Sequence, residues 1–266
     1  MVNEYNETLF LPNLVLEVTR RCTQQCAHCM CGPMQNINID KKVIDAVFKQ
    51  LEEYDIVYIE ELFFTGGEPF LNIDAIEYII YKIATSKSKI YIDHFGIKTN
   101  GMVYNDDVVR TLNNLYSISI NKEECSLECS YDQFHVKPSK YNINQFKKLP
   151  FFVESEEVFL KKSEILNTGL AKKNKLGCPN TGNHLEASKE PIKFLVEFEN
   201  ETGKPTKMIS MLDPIFINSK GYILTKVDGS YLFQDTFNHG NILLDSLLDI
   251  SKQVRIKKIK AKRKNY

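Results

Sequence analysis

Asn13-Leu14-Val15-Leu16-Glu17-Val18-Thr19 reads as a β-strand, and Arg20-Arg21-Cys22-Thr23-Gln24-Gln25-Cys26-Ala27-His28-Cys29-Met30-Cys31 follows it as a polar, cysteine-rich loop. Downstream, Asp40 is an N-cap for a helix running to about Tyr54, with Val43, Ile44, Val47, Phe48 and Leu51 at helical spacing. Ile56 to Phe64 reads as the next strand, closed by Thr65-Gly66-Gly67-Glu68-Pro69. A helix from roughly Asp74 to Thr85 carries Ile76, Ile79, Ile80 and Ile83 on one side. Lys89 to Lys98 is a third strand, ended by Thr99-Asn100-Gly101, and a helix covers about Asp106 to Leu115. A fourth strand near Ser126 to Tyr131 runs into Asp132-Gln133-Phe134-His135.

Strands that alternate with helices imply βαβ units and a parallel α/β sheet. In such sheets ligands gather at the carboxyl ends of the strands. Every unusual cluster of this half falls there: the cysteines, Gly-Gly-Glu-Pro, Thr-Asn-Gly, and Asp132 with His135. Coincidence on one rim makes a site.

The second half is less regular. Ser155 to Leu176 holds an expected strand ending at Thr168-Gly169-Leu170-Ala171. After Cys178-Pro179 the pattern turns β-like at Phe194 to Phe198, Ile215 to Ile217, and Tyr222 to Leu224 beyond a Ser219-Lys220-Gly221 turn. Gly240-Asn241-Ile242 leads into an expected last helix from about Leu243.

A length of 266 residues suits one large α/β domain, or a barrel-like domain with a small appendage. Lys+Arg and Asp+Glu balance at 34 each, so nothing global points to nucleic acid or a membrane. The basic tail from Lys257 to Lys264 reads as a solvated helix end, with RNA or anionic lipid as the sharper alternative. The polar opening Met1 to Phe10 lacks the order of a secretory leader, and no apolar run approaches the ~20 residues of a membrane span. The expected location is the cytoplasm, where seven cysteines do not pair as disulfides. Four of them crowd between positions 22 and 31, which asks for a metal.

Cys22-x-x-x-Cys26-x-x-Cys29 puts three thiolates on one loop. A chance match to this spacing is expected roughly 0.005 times in a chain of this cysteine content. A cubane iron–sulfur cluster normally takes four thiolates, so three leave one iron open. The competing reading is a zinc site with Cys31 or another fourth ligand. Structural zinc more commonly uses paired C-x₂₋₄-C units separated by a longer spacer.

These motifs, in this order over residues 13 to about 135, resemble the radical S-adenosylmethionine (radical SAM) superfamily. The resemblance implies a partial (β/α)6 barrel over residues 1–175, with a [4Fe–4S] cluster on Cys22, Cys26 and Cys29. The open iron would be chelated by S-adenosylmethionine. Gly66-Gly67-Glu68-Pro69 looks like the glycine-rich motif that meets the methionyl amino group. Lys98, Asn100, Ser130 and Asp132 occupy the strand ends where the family contacts the ribose and methionyl carboxylate, and His28 stands where an aromatic residue flanks the adenine. The implied chemistry is reductive cleavage of S-adenosylmethionine to a 5′-deoxyadenosyl radical, with flavodoxin or ferredoxin as electron donor.

Residues 176–266 look like a reduced twitch or SPASM extension, a small α+β unit. It departs from that pattern in having no cysteine after Cys178, so it should carry no auxiliary cluster. The expected function is modification of a peptide or protein, such as crosslinking or epimerisation. The alternatives are a radical enzyme for a sugar, nucleoside or amino acid, and a non-catalytic zinc or iron–sulfur module. Cys178 is a candidate thiol donor or a cysteine in a turn. His135 is a candidate acid–base group or substrate contact, and Tyr131 a rim residue that packs.

Overall fold

The computed structural model describes residues 8–53, 56–87, 89–154, 157–178, 195–199, 205–210, 215–224, 229–247 and 250. Residues 1–7 and the basic tail lie outside them. Chain order runs β1 (Thr8–Thr19), α1 (Lys41–Glu52), β2 (Ile56–Gly66), α2 (Ile73–Thr85), β3 (Lys89–Thr99), α3 (Asp106–Ile118), β4 (Ser126–Cys129), α4 (Lys140–Phe146) and β5 (Phe152–Val153). Then come α5 (Gly169–Lys173), β6 (Leu195–Glu199), β7 (Pro205–Ser210), β8 (Ile215–Ile217), β9 (Ile223–Leu224) and α6 (Tyr231–Thr236).

β1 to β5 pair in parallel in the order β5-β4-β3-β2-β1, the α/β arrangement of a partial barrel. The helices follow from the expected periodicities. All five apolar positions predicted for α1 are buried, and the Asp40 side chain accepts from the Lys42 N–H as its cap. Ile76, Ile79, Ile80 and Ile83 of α2 are buried likewise. On β1, Leu14, Leu16 and Val18 face these helices in the main core. Val15 points the other way and packs with Phe216 and Leu224, as period-2 alternation requires.

The other edge of β1 is shared. Thr8 to Phe10 pair with β7 and Leu14 to Leu16 pair with β8, both in parallel. The predicted strand–turn–strand at 215–224 is present as the antiparallel β8–β9 pair, hydrogen-bonded directly onto the cysteine-bearing strand.

One expectation fails and two shift their bounds. Thr168 to Ala171 is not the end of a strand: α5 begins there, with Gly169 at φ +54° turned so that a Cβ would stand 2.2 Å from the Met30 carbonyl. Ile242 to Leu244 form a turn, since Asn241 Oδ1 accepts from the Leu243 N–H and Asp245 Oδ2 from the Asn241 N–H, and the expected last helix begins later, at Leu247, with the Ile250 N–H donating to the Ser246 carbonyl. β4 stops at Cys129, two residues short of the expected Tyr131. No helix among the described residues is long and apolar enough to cross a membrane.

Candidate functional site

The cysteine loop leaves the carboxyl end of β1 and lies on the end of β2. The Gly67 N–H donates to the Thr19 carbonyl at 2.9 Å and the Glu68 N–H to the Arg21 carbonyl at 2.8 Å. A Cβ on Gly66 would stand 2.2 Å from the Thr19 oxygen, and one on Gly67 would stand 2.2 Å from the Arg21 oxygen. The glycines are there because two backbones touch.

Cys22, Cys26 and Cys29 line one cavity of about 240 Å³, together with His28, Gly66, Gly67, Lys98, Asn100, Ser130 and His135. Nine of the twelve predicted cluster and cofactor residues therefore share a wall; Glu68, Pro69 and Asp132 do not. Burial raises the Cys22 thiol and pushes Cys26 up to about 12, with the neighbouring cysteines adding to it. Cys29 moves the other way, held down chiefly by a hydrogen bond from the Cys31 thiol. Among the described residues, the triplet of metal-ligating side chains whose ligand atoms lie within 4.8 Å of one another is His28, Asp132 and His135, and the three cysteines form no such group. Thiolates on one tetrahedral zinc, at about 2.3 Å each, would stand about 3.8 Å apart. The spacing suits ligands of separate irons better than a lone ion.

Glu68 departs from expectation. Its side chain is sealed from solvent and both oxygens are taken: Oε1 accepts from Thr99 Oγ1 (2.7 Å) and the Phe70 N–H (3.3 Å), Oε2 from the Asn100 N–H (2.8 Å). Burial pushes its carboxyl up while these bonds pull it back. A carboxylate so engaged holds β2 to β3, with three of its roughly four acceptor sites filled from within the protein. Asn100 does line the cavity, but its amide donates to Thr23 Oγ1 (3.0 Å) and toward Cys22 Sγ (3.6 Å), bracing the loop. Lys98 lies 3.3 Å from Glu128 across an exposed pair.

Asp132 sits behind the wall, 3.4 Å from His28 Nε2 and 2.9 Å from His135 Nδ1. Phe134 stacks on His28 with centroids 4.7 Å apart. Burial, with His135 close by, holds His28 below its ordinary value against the pull of Asp132. Tyr131 packs under Lys137 and Cys178 is half-buried; neither lines the cavity.

Sequence reasoning missed what clamps the loop from outside. The Leu170 N–H of α5 donates to the Cys29 carbonyl, and Asn174 Nδ2 to the Ala27 carbonyl, both at 2.8 Å. The Tyr231 N–H of α6 donates to the Cys31 carbonyl at 2.9 Å, and Leu170 and Tyr231 both line the cavity. Fully buried Arg20 reaches Glu17, Gln35, Gln234 and Asp235, under the ring of Tyr231. A buried arginine just before the first cysteine was the available signal, since it must find carboxylates somewhere.

Residues 16–149, just over half of the chain, match the radical SAM superfamily. The chain belongs to that superfamily. Radical SAM proteins use a [4Fe–4S] cluster and S-adenosylmethionine, and a three-thiol loop at one cavity fits that pair. An uncharacterised protein of Methanocaldococcus jannaschii, MJ0907, is 30% identical over 105 residues, covering 40% of this chain and 36% of that protein. The GTP 3′,8-cyclase of Clostridium acetobutylicum is 37% identical over 91 residues, covering 34% of this chain and 27% of the cyclase. The matches thus span about a third of the curated relatives' length. Among solved structures, anSMEcpe with bound AdoMet superposes with a TM-score of 0.53 at 14% identity, covering 91% of this chain and 80% of that one. The same enzyme with AdoMet and the Cp18Cys peptide gives 0.51 at 13%, with the same coverage. At such identity the likeness is one of radical SAM fold.

Proposed function

We propose that this chain holds a [4Fe–4S] cluster on Cys22, Cys26 and Cys29, binds S-adenosylmethionine beside it, and modifies a peptide or protein substrate. The observation that carries the first part is the meeting of three thiols from one loop with Gly66, Gly67, Lys98 and Ser130 in one cavity. When bound, the cluster and S-adenosylmethionine supply one-electron reductive cleavage and hydrogen-atom abstraction.

The chain's own residues would bind and orient. The three cysteines would ligate as thiolates, so loading would release protons from thiols that burial now keeps protonated at 22 and 26. The Gln24 N–H, 3.4 Å from Cys22 Sγ, and the Asn100 amide would stabilise the charge on that sulfur. Gly66 and Gly67, closed onto the cysteine loop, would present their backbone to a ligand in the cavity, Lys98 and Ser130 would meet its polar groups, and the His28 ring would flank its base. Glu68 and Asp132 would act by holding the strand ends and the His28 ring.

Peptide modification is supported by the reading of residues 176–266 as a reduced twitch or SPASM extension and by the peptide bound in one structure of similar fold. A small-molecule substrate is the second reading, favoured by the sequence match to a GTP 3′,8-cyclase. Anaerobic reconstitution tests the common part: a brown protein with four irons and four sulfides should release 5′-deoxyadenosine from S-adenosylmethionine under dithionite. A colourless, zinc-loaded chain would end the proposal. Co-expression with a short peptide encoded beside the gene, followed by mass spectrometry and stereochemical analysis, separates the two substrate classes.

A further inference from the structure

We infer that the outer face of α5 is the docking surface for an acidic electron-carrier protein, received by Lys172, Lys173 and Lys175 with Lys161 and Lys162. This rests on the reading of Cys29 as a cluster ligand. The inner side of α5 is bonded to the loop at both ends: Leu170 to the Cys29 carbonyl and Asn174 to the Ala27 carbonyl. Gly169 permits the contact, since a Cβ there would lie 2.2 Å from the Met30 oxygen. The helix therefore stands between the cysteine loop and solvent, and its outward lysines lie within about a turn of the Cys29 carbonyl.

All five lysines are exposed, and none forms an ion pair with a described residue. Nearby in sequence, Lys137 is matched with Glu157 and Lys147 with Glu154. Between positions 158 and 178 the sequence has five lysines and one acid, Glu164. That carboxylate caps the Lys161 N–H at 2.6 Å. In a chain whose total charge is zero, this is a local excess of positive charge, and its α5 lysines stand on the segment bonded to the cysteine loop. Lysines can also offset a helix dipole, but the dipole of a five-residue helix is small and Lys161 and Lys162 lie outside it. Phe159, 73% exposed, supplies an apolar anchor two residues before them. Small, charge-steered, salt-sensitive contacts with a few apolar anchors are what transient redox partners use. In the encounter one electron leaves the carrier's reduced flavin, which becomes the semiquinone, and reduces the cluster by one. RNA would also be drawn to lysines, but it calls for a longer basic track with stacking platforms.

The test uses the full chain without metal, titrated with oxidised FMN-flavodoxin by fluorescence anisotropy at low and physiological salt. Binding should weaken steeply with salt, and K172E/K173E/K175E should weaken it at least tenfold at low salt, with K172Q/K173Q/K175Q between. In reconstituted protein, reduction by flavodoxin hydroquinone should slow tenfold in the charge reversal, while reduction by dithionite keeps its rate. Unchanged flavodoxin binding in both triple variants, salt-insensitive binding by the natural chain, or preference for a single-stranded RNA over flavodoxin would each overturn the inference. Failure to take up iron would strike the cluster reading instead, because the anisotropy measurement needs no cluster.

Discussion

Arg20 and Asp235, 215 residues apart, meet in a two-pronged ion pair: Nη2 lies 2.8 Å from Oδ1 and Nη1 3.1 Å from Oδ2. The same guanidinium donates through Nε to Glu17 at 2.8 Å, and Glu17 Oε1 also accepts from the Ser219 N–H and hydroxyl. Arg20, two positions before the first cysteine, thus binds helix α6, and Glu17, five before it, binds the turn after β8. Replacing Arg20 with Met should cost about 3–5 kcal/mol, because Glu17 is buried and would be left uncompensated. Adding Glu17→Gln should restore part of that loss, read as non-additivity in chemical denaturation.

The same pair predicts acid sensitivity. Burial alone would raise Asp235, but hydrogen bonds from Arg20 and Lys220 outweigh it and hold the carboxyl below its ordinary 3.8. A depressed folded value means that the unfolded chain binds this proton more readily. The stabilisation is therefore present above pH 3.8 and is lost as pH falls through the folded value. Asp235→Asn should flatten this part of the stability–pH curve below about pH 4. An unaltered acid limb in thermal melts would show that the pair contributes nothing.

Glu68 offers a test of structural against ligand-binding roles. Glu68→Ala strands the Thr99 hydroxyl and the Asn100 and Phe70 N–H groups, each buried donor costing about 1–3 kcal/mol. Glu68→Gln keeps one acceptor and turns an amide toward the Asn100 N–H, so it too should lower the melting temperature without S-adenosylmethionine. Were Glu68 a partner of the methionyl ammonium, the Gln variant would melt normally and bind S-adenosylmethionine weakly. Differential scanning fluorimetry with a binding titration distinguishes these.

The barrel half was legible because its signals are local. Alternation, helical spacing and the Asp40 cap are each set within a few residues, and the rim motifs then follow from chain order. The hydrogen bonds of Glu68 were not legible because a carboxylate beside glycines gives the same sequence signal whether it faces a ligand or a hydrogen-bonded strand end. Gly169 read as part of a strand because its reason is a carbonyl on Met30, which no neighbouring residue reveals. Tyr231 and Asp235 escaped for a related cause: α6 is six residues long and its value lies in meeting Arg20.

The loop is pinned by backbone contact on two sides, so small additions should disturb it. Gly67→Ala brings a Cβ to the Arg21 carbonyl, and Gly169→Ala brings one to the Met30 carbonyl, each at 2.2 Å. Neither oxygen can swing aside like a side chain, so each variant should lose about 1–3 kcal/mol through overpacking. Both should also retain less iron after reconstitution. Gly169→Ala is the sharper case, since Gly169 itself does not line the cavity. Full iron retention there would mean that α5 is dispensable to the loop.

Cys31 is the thiol most easily mistaken for a cluster ligand, and its hydrogen bonding argues otherwise. Its interaction with Cys29 lowers that neighbour and raises Cys31 itself, while its carbonyl is held by the Tyr231 N–H. A donor to a ligand sulfur withdraws electron density and raises the potential of the cluster it serves. Cys31→Ala should therefore keep four irons per chain, whereas Cys29→Ala should lose them. One hydrogen bond of about 1 kcal/mol corresponds to about 40 mV for a one-electron couple, so the Cys31→Ala cluster should titrate more negative by about that much. Iron analysis with EPR-monitored redox titration checks both halves. Loss of iron in Cys31→Ala comparable to that in Cys29→Ala would make Cys31 a ligand and displace the three-cysteine assignment.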